Sequence, residues 1–235
     1  MFSLLLFAIS CDKDDDDNNG FVDADGNVFA TVIIGDQEWM AENLRTTKYN
    51  DGSHIPMGYT DSEWLNLTIG AYAVYPHTDI DGLNSESEVL EAYGALYNWY
   101  AVNTGKLCPT GWRVPTNADW TALNNYAGGS DVAGGNLKSI RTTPDTHPRW
   151  QSPNTGAIDV YSFSALPGGG RFIIFGQFYN EAKYLGIGFS GGWWSSTGDD
   201  DSGAWRIDMD FNYRYLEHYK STKRSGFSVR CVRDN

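Results

Sequence analysis

The end of the chain carries the pattern that most constrains its fold. Four strand-like runs, WWSST, AWRIDMDF, YRYLEHY and GFSVRCVR, follow one another with turn residues between them. Short runs rich in aromatic and β-branched residues, separated by turn signals, are typical of an antiparallel meander. The helix signals lie upstream of these runs, and helices followed by antiparallel strands predict the α+β class.

Two helices are predicted from capping residues and apolar spacing. In SESEVLEAYGALYNWYAVN, Ser85 and Glu88 have the spacing of a capping box, and apolar residues then recur every three or four positions. A second helix is expected to begin at Thr116, with Asp119 three residues later, and to end before the glycine pair that starts at Gly128.

The remaining segments predict short strands and long loops. FVDADGNVFATVIIGDQEWMAENL is expected to form a hairpin with its turn at DGN, residues 25–27. Residues 128–192 hold many of the 26 glycines and are expected to form long loops, with short strands at 158–166 and 172–175.

The beginning of the chain predicts export and a lipid anchor. The apolar run MFSLLLFAIS is too short to span a bilayer, it stops at Cys11, and DKDDDDNNG follows at once. We therefore expect residues 1–11 to be a lipoprotein signal remnant that ends in a lipidated Cys11. Residues 12–20 would be an acidic flexible tether, and residues 21–235 a single domain. The alternative is a buried helix that ends at the cysteine.

Charge and cysteine content restrict the partners and the compartment. The formal net charge of -13 argues against a nucleic acid or an anionic membrane surface, since phosphates require clustered lysine and arginine. Membrane contact is expected through the lipid anchor alone. Apart from Cys11, only Cys108 and Cys231 remain, and an even number in an exported chain predicts one disulfide.

Two sequence patterns mimic catalytic motifs. Gly186-x-Gly188-x-x-Gly191 lacks the flanking strand and helix of a dinucleotide site, and the GxSxG match from Gly188 to Gly192 is followed by strand-like residues. The four histidines show no HxxxH or HExxH pairing. We therefore expect no enzyme, while an unrecognised carboxylate hydrolase or modifying enzyme stays open as an alternative.

Several blocks of the sequence resemble a known family. TVIIGDQEWMAENLRTTKYNDGSHIP, GALYNWYAVNTGKLCPTGWRVPTNADWTALNNYAGG, AGGNLKS, FSALPGGGR, WWSST and RSGFSVRCVRD resemble, in this order, the Fibrobacter succinogenes major paralogous domain. The likeness covers about residues 28–234. It implies an exported, lipidated protein of Bacteroidetes or related bacteria, and the acidic run after Cys11 resembles a signal for the outer face of the outer membrane.

A more distant likeness concerns the fold. WRVPTNADW and the closing GFSVRC are similar to blocks of the formylglycine-generating family, which has a C-type-lectin-like fold. The resemblance implies two helices packed on a small, highly looped antiparallel sheet, with the chain ends brought together. It does not imply that family's activity, because Cys108 and Cys231 stand where a structural bridge is expected.

The stretch GGWWSSTGDDDSGAW raises the question of a ligand site. Within a strand, one of Trp193 and Trp194 should be buried and the other exposed, and an exposed indole can stack on a sugar ring. Asp199, Asp200 and Asp201 are candidate calcium ligands, although a polar hairpin turn is the favoured explanation of this run. The candidate ligand-binding residues are Trp193, Trp194, Trp205, Tyr213, Tyr215 and Arg171.

These observations together predict a non-catalytic, surface-exposed lipoprotein module that binds a glycan or a protein. No cofactor is expected apart from calcium at the three aspartates. The alternatives are a structural or assembly subunit of a cell-surface appendage and the hydrolase or modifying enzyme named above, because fold analogy alone does not fix function.

Overall fold

The protein is mostly β. The computed structural model describes residues 21–175, 180–200 and 203–234. Within these ranges thirteen strands form three sheets, and only 16% of the structure is helical. The expected α+β, C-type-lectin-like fold with two helices on a small sheet is therefore wrong.

The strands are β1 (Phe21–Val22), β2 (Val28–Phe29), β3 (Thr31–Ile34), β4 (Gln37–Met40), β5 (Tyr72–Ala73), β6 (Leu96–Asn98), β7 (Gly168–Phe175), β8 (Asn180–Ile187), β9 (Ser190–Gly198), β10 (Gly203–Asp210), β11 (Glu217–Thr222), β12 (Gly226–Phe227) and β13 (Val232–Asp234). The helices are α1 (Asp61–Trp64), α2 (Glu86–Tyr93), α3 (Trp99–Val102), α4 (Asn117–Tyr126) and α5 (Ala133–Leu137), with a 3-10 turn at His77–Asp79.

An eight-stranded mixed sheet is the centre of the molecule. Its order is β11-β10-β9-β7-β12-β6-β5, and β8 pairs with β7 outside this path. Strand β7 starts in the glycine run that the sequence suggested was a loop. A Cβ on Gly170 would stand 2.7 Å from the Phe227 ring, and one on Gly191 would stand 2.3 Å from the Trp193 ring. Because these positions are glycines, the rings of Phe227 and Trp193 can pack directly against the backbone of the sheet.

One of the two small sheets joins the ends of the domain. Strand β13 pairs with β4, so Val232 lies opposite Trp39, and β3 completes this sheet. Strands β1 and β2 form the hairpin predicted around residues 25–27. The predicted Cys108–Cys231 disulfide is confirmed, with the two Cα atoms 6.0 Å apart.

The helices agree with the capping signals but not always with the predicted lengths. Helix α4 follows Thr116, whose side chain and that of Asp119 form a complete capping box. Helix α2 is capped by Ser85 but ends at Tyr93, and Gly94, with a φ of 78°, follows it. The predicted continuation is wrong, because Leu96–Asn98 is a buried strand of the large sheet. No helix in the described ranges is long and apolar enough to cross a membrane.

Candidate functional site

Three of the predicted ligand residues lie in the interior. Trp193 and Trp194 are both 0% exposed, because the two faces of strand β9 are covered by separate hydrophobic clusters. The Trp193 indole donates to Asn43 Oδ1 at 2.9 Å, and the Trp194 indole donates to the Tyr97 carbonyl at 2.7 Å. The expectation that one of these tryptophans is exposed is wrong, since a mostly β fold with cores on both faces leaves neither side of β9 open.

Arg171 is also buried. Its guanidinium pairs with Asp61 at 2.6 Å and lies over the rings of Trp64 and Tyr184, 4.4 and 4.9 Å from their centroids. A guanidinium that already stacks on two rings and pairs with a carboxylate makes its interactions inside the protein. Arg171 therefore anchors α1 to the large sheet and presents no surface to a ligand.

The predicted aspartate turn lies at the tip of the β9–β10 hairpin. Asp199 pairs with Lys220 at 2.9 Å, and the Lys220 ammonium lies 4.8 Å from the ring centroid of Trp205, which is partly exposed. Asp200 Oδ1 accepts from the Gly203 amide at 2.6 Å, as expected for a polar turn. Asp201 lies outside the described residues.

A cleft of about 380 Å³ opens beside this turn, and we call it the hairpin cleft. Within the described part of the chain, no three His, Cys, Asp or Glu side chains stand together in a way that would hold a metal ion. Calcium binding at the aspartates stays a prediction. The hairpin cleft is lined by Tyr100, Phe175, Asp199, Asp200, Gly203, Lys220, Ser221, Thr222 and Arg224.

Tyr213 and Tyr215 are the predicted ligand residues that reach the surface together. Their rings are stacked, with centroids 5.3 Å apart and planes 8° from parallel, and they are 51% and 42% exposed. The sequence placed both in a strand, YRYLEHY, but strand β11 begins only at Glu217. Residues 211–216 form a loop instead, which directs both tyrosines outward.

Backbone contacts hold this loop in place. The Gly135 amide donates to the Arg214 carbonyl at 3.0 Å, and the Leu216 amide donates to the Ser130 carbonyl at 3.0 Å. A Cβ on Gly134 would stand 1.9 Å from the Tyr215 carbonyl oxygen, so only glycine permits this approach. The loop is thus fixed through its main chain, and the side chains of residues 212–215 face solvent.

Lys138 fixes the same loop from inside. It is 0% exposed, and its ammonium group donates to the carbonyls of Thr155, Asp210 and Tyr213 at 3.1, 2.8 and 2.7 Å. Three acceptors satisfy its three donors. Burial lowers the pKa of Lys138 to about 8. The sequence analysis missed this residue, since a lone lysine within AGGNLKS carries no signal of burial.

The surface above Lys138 is a groove of about 410 Å³, which we call the tyrosine groove. It offers two aromatic rings beside a guanidinium, a carboxylate, an amide and a hydroxyl. Such a combination can stack on a ring and bind its hydroxyl groups. The residues that line the tyrosine groove are Asp131, Thr155, Asn212, Tyr213, Arg214 and Tyr215.

A second polar cluster links loops elsewhere in the fold. Tyr93 Oη lies 2.5 Å from His147 Nδ1, His147 Nε2 lies 3.3 Å from Asp81, and Arg149 donates to Asp81 at 2.7 Å. The Arg149 amide donates to Tyr93 Oη and completes a ring of contacts. Burial raises the pKa of Tyr93 to about 12. Because Tyr93 is enclosed, this cluster joins α2 to the loop around His147 and offers no reactive hydroxyl to solvent.

Two carboxyl groups lie side by side on the large sheet. Asp208 of β10 is the cross-strand partner of Glu217 of β11, and Asp208 is ion-paired with Arg206. Desolvation raises the pKa of Asp208 to about 6, although Arg206 opposes this shift. A carboxyl group with a raised pKa near a second carboxyl group is one combination that can serve acid–base chemistry.

Comparison with known proteins places most of the chain in one family. A family model described as the Fibrobacter succinogenes major domain matches residues 32–233. No curated protein and no solved structure matches the chain.

Proposed function

We propose that this chain, which belongs to the Fibrobacter succinogenes major domain family, is a non-catalytic binding module whose tyrosine groove holds a glycan. The stacked and exposed pair Tyr213 and Tyr215 carries the proposal. The apolar C–H face of a sugar ring stacks on such rings, while neighbouring polar groups bind its hydroxyls.

The rigidity of the loop supports this function. Ordering a loop on binding costs free energy, and a loop that is already ordered avoids that cost. Residues 211–216 are held by the amide of Gly135, the carbonyl of Ser130 and the ammonium group of Lys138. Exposed tyrosines on a rigid backbone present contact area at a low entropic cost.

The proposal includes display on the cell surface through a lipid on Cys11. Cys11, the signal remnant 1–11 and the acidic tether 12–20 lie outside the described residues. The Cys108–Cys231 disulfide supports an oxidising compartment. Mass spectrometry of the protein recovered from membranes would detect acylated Cys11, and a protein that is recovered with a free thiol there would contradict the anchor.

Glycan binding is tested by titration against a broad polysaccharide panel, with calcium and again with chelator. We expect Tyr213→Ala and Tyr215→Ala each to weaken binding about fivefold, because each removes a stacking surface worth roughly 1 kcal/mol. Tyr126→Ala is the matched control, since Tyr126 is 56% exposed but lies on α4, outside the groove.

The outcomes separate the proposal from its alternatives. Equal losses in all three variants would contradict a site at the tyrosine groove. An absence of binding to every glycan, together with self-association at micromolar concentration, would favour the assembly subunit. Binding that is lost with chelator would instead indicate the calcium hypothesis for Asp199 and Asp200 of the hairpin cleft.

The neighbouring carboxyl groups of Asp208 and Glu217 favour one second candidate function, a hydrolase or modifying enzyme. A carboxyl group with a raised pKa can act as a general acid, and its cross-strand neighbour can act as a base or nucleophile. Turnover of any panel polysaccharide that is abolished by both Asp208→Asn and Glu217→Gln would establish this candidate. Turnover that survives either change would exclude these residues as the catalytic pair.

A further inference from the structure

Arg214 lies between Tyr213 and Tyr215 in the sequence, and its side chain also lines the tyrosine groove. Its guanidinium forms neither an ion pair nor a hydrogen bond with any residue that the structure describes. A guanidinium carries five N–H donors in a planar fork, which matches the two oxygens of a carboxylate. Arg214 is therefore available for an anionic group that enters the groove.

The base of this side chain is held in place. A Cβ on Gly156 would stand 2.9 Å from the Arg214 Cβ, and one on Gly135 would stand 3.2 Å from the same atom. The Arg214 carbonyl also accepts from the Gly135 amide. The absence of side chains at Gly135 and Gly156 thus leaves room for the base of the Arg214 side chain to pack against them.

Most other arginines are engaged within the protein, which distinguishes Arg214. Arg224, at the hairpin cleft, is the other described arginine without such a partner, but that cleft also holds Asp199 and Asp200. The arginines that pair with carboxylates are Arg45, Arg113, Arg149, Arg171, Arg206 and Arg233. Arg141 and Arg230 donate to carbonyls.

We infer that the tyrosine groove selects glycans whose sugar rings carry a carboxylate, and that Arg214 binds this carboxylate while Tyr213 and Tyr215 stack on the ring. The inference rests on the proposed glycan-binding function and specifies its ligand class. Asp131, also in the groove, makes no ion pair with Arg214 and is placed to accept hydrogen bonds from ring hydroxyls. The groove then holds a donor for the carboxylate and an acceptor for the hydroxyls.

The experiment compares charged and neutral forms of one polymer. The full chain is titrated with polygalacturonate and with alginate, each beside its carboxyl-reduced form, and with a sulfated polysaccharide. We expect the carboxylate forms to bind at least tenfold more tightly than the reduced forms, and more tightly than the sulfated polymer. Arg214→Gln should remove this preference, and Arg214→Lys should restore only part of it, since lysine lacks the planar fork.

Arg224→Gln is the matched control and should keep the full preference. The Arg214 guanidinium has no hydrogen-bond or ion-pair partner among the described residues, so its variants should unfold at the same urea concentration as the wild type. Equal binding of the charged and reduced forms would overturn the inference while the proposed function stands. A preference for the sulfated polymer, or one that survives Arg214→Gln, would also overturn it. An absence of binding to every polymer would overturn the proposed function and the inference together.

Discussion

Two buried cations show how single residues organise this fold. Lys138 and Arg230 are both 0% exposed, and carbonyl oxygens rather than carboxylates satisfy their donors. Arg230 also donates to Asn43 Oδ1, the atom that accepts from the Trp193 indole. Burial lowers the pKa of Arg230 to about 9. Each cation joins segments that are far apart in sequence, so each acts as a cross-link between loops.

Replacing Lys138 with methionine should destabilise the fold and weaken glycan binding. The variant leaves three carbonyls without their donor, which we expect to cost about 2 to 4 kcal/mol in the free energy of unfolding. Urea denaturation measures this cost. Lys183→Met is the control, since Lys183 is exposed, and a comparable loss in that variant would contradict the role of Lys138.

Lys138 should also affect how stability depends on pH. Its folded pKa of about 8 lies below the ordinary lysine value of 10.5, so the unfolded chain binds more protons between these values. Its contribution to the free energy of unfolding should therefore rise with pH above about 8. Urea midpoints at about pH 7.5 and 9.5 should show a rise that Lys138→Met lacks and Lys183→Met keeps. Identical pH dependence in all three proteins would contradict the shift.

At the scale of elements, the loop 211–216 packs against helix α5. The sequence of α5 has a low intrinsic helix propensity. Helix α5 has the sequence AGGNL, with two adjacent glycines in five residues. Gly134 and Gly135 stand where the Tyr215 and Arg214 carbonyls approach, so packing against the loop outweighs propensity. The helix and the loop therefore form one unit.

Gly134→Ala should reduce stability and glycan binding, although alanine favours helices. The added methyl would stand 1.9 Å from the Tyr215 carbonyl oxygen, so the loop must move. We expect a loss of about 2 kcal/mol or more in unfolding experiments, with weaker binding to the panel glycan. Asn125→Ala, an exposed substitution on α4, should have little effect. A Gly134→Ala variant of wild-type stability would show that the loop is not held as described.

At the scale of the whole molecule, the chain closes on itself. Strand β13 pairs with β4, and the Cys108–Cys231 disulfide spans 123 residues beside this sheet. A cross-link over a long span restricts the unfolded chain strongly in the chain-entropy account. The disulfide therefore stabilises the closure of the domain.

Removing the disulfide should lower the stability of the whole domain. For the Cys108→Ser, Cys231→Ser double variant we expect a loss of about 2 to 5 kcal/mol in the free energy of unfolding. The wild type under reducing conditions should unfold at the same urea concentration as the variant, and reductant should not change the variant. Equal urea midpoints for the oxidised wild type and the variant would contradict this account.

The sequence predicted the local features well and the site only in part. The cap at Thr116, the turn at residues 25–27 and the disulfide are confirmed, because each depends on a few neighbouring residues or on counting. Of the candidate ligand residues, Tyr213 and Tyr215 lie together at the surface. Trp193 and Trp194 do not, because alternation along a strand cannot show that both faces of its sheet are covered.

Caps, turns, the family and the cysteine pair were thus determined by the sequence itself, since they rest on short-range chemistry and on ordered blocks of residues. Only the tertiary structure decided that the glycine run from Gly168 is a central strand, that Lys138 is buried and that the Arg214 guanidinium pairs with no other described residue. These features depend on which distant segments pack together. The group that accepts a hydrogen bond from a buried side chain, or packs against it, lies tens of residues away along the chain. No local sequence pattern encodes which distant segment supplies that group.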